Sequence, residues 1–157
     1  MSMAFLNSAS GASAWRGYEY YTQGHVILCH RVGETEYEGI VTGSNNAKYS
    51  VHIDVAHPKK STCNCPLADG KLILCKHKVA LYFKVFPEEA EKYLEEVEKA
   101  EREAQEENDR IYELTEQRIA KMKKSELQQA LIEVLSDSPE WVFDRFVRDW
   151  VLNAQEE

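Results

Sequence analysis

The chain has 157 residues, the usual size of one domain or of a small domain with an appendage, and its 43% apolar content suffices for a core. No apolar run approaches the roughly 20 residues that cross a bilayer, and residues 1–14 lack the basic region of a secretory leader, so a cytoplasmic, non-membrane protein is expected. Residues 1–86 carry nine Lys/Arg against six Asp/Glu, whereas residues 87–157 carry ten against twenty-one, so a mildly basic part (+3) precedes a strongly acidic one (−11).

Residues 13–21 have helical character and stop before Gly24, a residue suited to the left-handed turn that closes helices. Three β-rich runs follow at 25–32, 37–42 and 49–55. Gly33-Glu34 and Gly43-Ser44-Asn45-Asn46 separate them, which predicts a three-stranded antiparallel meander. In the third run Tyr49, Val51, Ile53 and Val55 alternate with Ser50, His52 and Asp54, so the two sets should face opposite ways. Pro58 ends the sheet. Residues 59–74 read as a loop broken by Pro66 and Asp69-Gly70. Residues 76–86 look helical, and Pro87 closes or interrupts that helix.

Residues 88–124 are almost all helix formers, without Gly or Pro. Ala90, Tyr93, Val97, Ala100, Ala104, Ile111, Leu114 and Met122 keep an approximate three-four spacing, yet Glu107 and Arg118 fall on the same seam. One long solvated helix, docked or paired along one stripe, is expected. Ser125-Glu126-Leu127-Gln128 fits a capping box opening a short helix to residue 135. Ser138-Pro139-Glu140 predicts a second start with proline at the first helical position. There Phe143, Phe146, Val147, Trp150 and Val151 form an apolar stripe. Together with Trp141 it suits bundle packing or a partner surface.

Four cysteines stand at 29, 63, 65 and 75, and three of them lie within thirteen positions with His77 beside the last. Such clustering favours metal over disulfide in a reducing compartment. Cys63-Asn64-Cys65, nine residues, then Cys75-Lys76-His77 offers three thiolates and one imidazole. That set suits tetrahedral zinc and leaves no position for a substrate water, so the role is structural. Three ordinary buried cysteines with a surface histidine are the bland alternative. A redox Cys-x-Cys would leave Cys75 and His77 unexplained. Cys29 and His30 read as strand residues, with a second metal site as the alternative. His57 is a candidate outer partner or alternative ligand. Lysines 59, 60, 71, 76, 78 and 84 bracket the loop with only Asp69 opposing them, so Lys59, Lys60, Lys71, Lys76 and Lys78 are candidate phosphate contacts. No aromatic residue inside the loop suggests base stacking.

The Cys-x-Cys…Cys-x-His spacing followed by Val79-Ala80-Leu81-Tyr82-Phe83 resembles the SWIM zinc-finger family in its small bacterial form. Upstream, Arg16-Gly17, Tyr20-Tyr21, Gly24-His25-Val26 and Tyr49-Ser50-Val51-His52-Ile53 resemble the approach to the finger. The likeness covers about residues 16–86, a little under half the chain. It implies Zn²⁺ held by Cys63, Cys65, Cys75 and His77, and a protein-interacting or DNA-binding role. Family members occur beside helicase-like ATPases, transposases and ubiquitin ligases. The expected fold is α+β: a small antiparallel sheet with a zinc-knuckle loop and helix over 13–86, a long acidic helix over 87–124, and a helical segment over 125–157. The expected function is a zinc-binding adaptor docking onto a partner protein such as a helicase-like ATPase, the alternative being a nucleic-acid-binding finger. No Gly-rich phosphate loop, nucleophile motif or carboxylate pair suggests an enzyme.

Overall fold

A computed structural model describes residues 3–152. They form two compact units that part between Ala100 and Glu101. The first holds α1 (Met3–Leu6), α2 (Gly11–Thr22), β1 (Val26–Arg31), β2 (Glu36–Thr42), β3 (Lys48–Asp54), a 3-10 turn (Pro58–Lys60), β4 (Thr62–Cys63), α3 (Lys76–Val85) and the start of α4 (Pro87–Lys121). The fold is mixed α+β, built on one antiparallel sheet of order β1-β2-β3-β4. Three of these strands are the expected meander. The fourth lies in the segment read as loop, where Thr62 and Cys63 pair with His52 and Val51. Two residues are too few to leave an alternation signal.

Local chemistry explains the joints. Ser10 caps α2 by accepting the Ser13 N–H at 3.2 Å, so the helix begins before the predicted position. Gly24 has φ +76° and donates its N–H to Tyr21 O, which is the expected left-handed stop. Asn46, at φ 60°, turns the chain between β2 and β3.

The alternation expected in β3 holds for Val51 and Ile53, which are buried, but fails at Asp54, which is buried as well. The carboxylate of Asp54 accepts from Thr35 Oγ1, from the Ala56 and His57 N–H groups and from His57 Nδ1, all at 2.9–3.1 Å. It therefore organises the turn after the strand instead of facing solvent. Burial pushes its pKa up, yet these bonds outweigh the desolvation and hold it below the usual carboxylate value.

The core is α3 held between the sheet and α2. Val79, Ala80, Leu81, Tyr82 and Phe83 are all fully buried, five consecutive residues covering every side of the helix. Burying each of the large ones contributes about 1.5–3 kcal/mol. Phe5 of α1 stacks on Tyr82 at 4.7 Å, while Tyr18 and Tyr93 close on Phe83 at 5.9 and 5.4 Å. Helices α2 and α3 approach so closely at Gly17 that an added Cβ would meet Val79 Cβ at 2.4 Å.

The second unit comprises the rest of α4, α5 (Lys124–Asp137), α6 (Glu140–Phe146) and a π-helical turn (Val147–Leu152). The N-cap of α5 is Lys123, not Ser125, because Glu126 reaches back to accept the Lys123 N–H at 2.8 Å. Pro139 stands one residue before α6, where position one was expected. No side chain is buried among the described residues of this unit. Among the described residues no helix is long and apolar enough to cross a membrane.

Candidate metal centre

Two local devices bring four polarizable groups to one point. The first is a knuckle at the end of β4. Asn64, between Cys63 and Cys65, is fastened to β3: its Oδ1 accepts the Ser50 N–H at 2.9 Å. The carbonyl of Cys65 then accepts the N–H groups of Ala68 and Asp69 at 2.9 Å, which turns the chain away. The second device is the start of α3, where Cys75 is the N-cap and His77 lies in the first turn. Unpaired N–H groups and the positive end of the helix favour a thiolate there.

Cys63, Cys65, Cys75 and His77 are at most 4% exposed, and one ligand atom from each lies within 4.8 Å of the others. His77 Nδ1 faces the sulfurs, 3.8 Å from Cys63 Sγ and 4.0 Å from Cys75 Sγ. A tetrahedron with bonds of about 2.3 Å to sulfur and about 2.0 Å to nitrogen has edges of roughly 3.5–3.8 Å. The spacing and the soft donor set fit zinc, and these four residues could hold one ion with no coordination position left open. All four cysteines are free thiols. The His77 ring is flanked by Tyr49 at 4.6 Å and Tyr20 at 5.5 Å, and its Nε2 has no hydrogen-bond partner among the described residues.

The thiols are electrostatically unequal. Cys75 is pulled down, first by its interaction with the Cys63 thiol and, against the opposing effect of burial, by His77 and the N–H groups of His77 and Lys78. Cys63 is pushed up, first as donor of that same bond and then by burial.

The other candidates fall in different places. Cys29 lies outside the cluster, and His30 faces Glu38 at 3.8 Å. Among the described residues only one group of three or more ligating side chains converges. His57 is engaged by Asp54 at 3.0 Å and stands apart from the thiols. Lys59, Lys60 and Lys71 are exposed, and Lys59 and Lys71 share a cavity of about 380 Å³ beside Cys63 with Thr62, Asn64 and Asp69. Lys76 is half-buried and donates to Tyr20 Oη at 2.6 Å.

Lys78 cannot be a phosphate contact: it is fully buried, and its ammonium donates to Ser61 O and Ile73 O. Its neighbours Val79 to Phe83 gave the only hint, because a lysine directly before five consecutive apolar helical residues is poorly placed to reach water. The supports Asn64 and Ser61 went unnoticed in the sequence. Ser61 Oγ accepts the Asp54 N–H at 3.1 Å, a contact that only the folded sheet creates.

Residues 44–86 match the SWIM zinc finger family, a stretch that runs from the β2–β3 turn through α3 and contains all four clustered residues. A SWIM zinc finger is a zinc-binding module for protein or DNA interaction. No curated protein and no solved structure matches the chain.

Proposed function

We propose that a SWIM-type cage of Cys63, Cys65, Cys75 and His77 holds one structural zinc ion and that the chain works as an adaptor docking onto a partner protein. In this reading residues 13–86 are the zinc-binding domain, residues 87–124 a helical spacer and residues 125–157 a second contact. Zinc would fasten the 59–74 segment to α3 and would catalyse nothing, since its four ligands fill the tetrahedron.

The exposed apolar side chains of the second unit carry the adaptor reading. Trp141 is 65% and Trp150 73% exposed, and Phe143, Leu131, Ile132 and Val134 are exposed as well. Apolar surface of that extent on short helices suits a protein interface, and the −11 balance of residues 87–157 would repel nucleic acid. A helicase-like ATPase is the partner class that the family resemblance suggests.

DNA binding is the second reading, favoured by the exposed Lys59 and Lys71 sharing one cavity at the knuckle. Anisotropy titrations with duplex and single-stranded DNA between about 50 and 200 mM salt separate the two. An adaptor shows no binding even at the lowest salt. Micromolar binding that falls steeply with salt overturns it in favour of DNA.

A further inference from the structure

Lys78 is the most deeply buried charged side chain among the described residues, at 0% exposure against 2% for Asp54 and 4% for Glu89. An ammonium withdrawn from water is costly unless it is hydrogen-bonded and faces opposite charge. Two of its three N–H groups are placed, on Ser61 O and Ile73 O, each at 2.8 Å. Those carbonyls stand on either side of the knuckle segment that carries Cys63 and Cys65, so one side chain from α3 ties down both ends. No carboxylate pairs with Lys78 among the described residues. Burial pushes the Lys78 pKa down, and the sulfurs of Cys75, Cys63 and Cys65 partly offset that shift by favouring the ammonium.

Three thiolates and a neutral imidazole around a divalent ion leave one uncompensated negative charge. From these facts we propose that Lys78 is the counter-ion of the zinc cage and the clamp on its loop, a positioning residue that brings the buried centre to electroneutrality. The inference rests on the zinc reading above. His77 and Lys78 are adjacent on α3, about 100° apart around the helix. One helical turn therefore supplies a ligand to the ion and, beside it, the charge that balances the whole set. A hydrogen-bonded lysine at this place also explains why a charged residue is tolerated in the fully buried stretch of α3.

The test compares the full chain with Lys78→Met and Lys78→Arg, each loaded with zinc or with cobalt. Partners outside the ligand shell are typically worth 10–100-fold in metal affinity. Lys78→Met should lose zinc to a competing chelator at 10–100-fold lower chelator concentration. Its thiolate-to-cobalt charge-transfer band should move to longer wavelength, because the sulfur lone pairs lose a nearby positive charge. Lys78→Arg should keep the band where the wild type has it. Wild-type affinity and an unmoved band in Lys78→Met overturn the proposal. So does weaker binding with an unmoved band, which would mark Lys78 as a packing residue only, or a shifted band in Lys78→Arg.

Should Lys78→Met fail to fold, amine acylation of the wild type followed by mass spectrometry decides. Lys78 should resist while zinc is bound and react as a chelator removes it; labelling in the zinc-loaded protein overturns the proposal. A wild-type chain that takes up no zinc is a separate failure, of the cage itself.

Discussion

Cys63 leaves a two-residue strand, and His77 begins the buried stretch of α3. A shared ion would therefore join a segment paired through only two strand residues to the most deeply buried part of the first unit. Structural zinc in small modules is worth on the order of 10 kcal/mol of apparent folding free energy, and deleting one ligand removes most of it. Cys63→Ala and His77→Ala should each lose the metal and leave residues 56–86 open to amide hydrogen exchange; one zinc per chain in both variants would contradict the ligand set. Asp54 makes a second, metal-independent contribution. Asp54→Ala leaves four donors without their acceptor, and a loss of about 2–3 kcal/mol is expected in chemical denaturation. Its folded pKa is lowered, so the wild-type advantage should be constant above about pH 4 and shrink as pH falls through the depressed value. The ligand motif was legible because its spacing is local. The roles of Asp54 and Lys78 were not, because their partners Thr35, Ser61 and Ile73 reach them only after folding.

Helices and strands obey the same division. The meander, α3 and the long helix announced themselves through turn glycines, alternation and unbroken helix formers, each read within a short window. Strand β4 and helix α1 escaped because two and four residues carry no period; their stability comes from neighbours, β3 for one and Tyr82 for the other. The contact of α2 with α3 gives a sharp expectation. Gly17→Ala would place a methyl group against Val79 Cβ, so the helices must part. A loss of about 1–3 kcal/mol should appear as a lower Tm, and an unchanged Tm would refute the close approach. The C-terminal helices should behave oppositely. Trp141→Ala and Trp150→Ala remove side chains that are 65% and 73% exposed, so each should change stability by less than about 0.5 kcal/mol in thermal denaturation. A larger loss would mean these rings already have a packing role in the free chain.

Across the whole molecule, charge and metal chemistry separate. The mildly basic part of the sequence contains the cage, and the acidic part supplies helices with exposed apolar side chains. That separation was visible in the charge count alone, whereas the boundary between the compact units, inside α4, was not, since nothing in an uninterrupted helical sequence marks where contacts cease. The function proposed for the first unit depends on a closed shell of three sulfurs and one nitrogen. The direct measurement is the metal content of the purified chain together with its melting before and after a strong chelator. One zinc per chain and a Tm that drops when the ion is removed are expected. A metal-free chain whose melting the chelator leaves unchanged would contradict the cage.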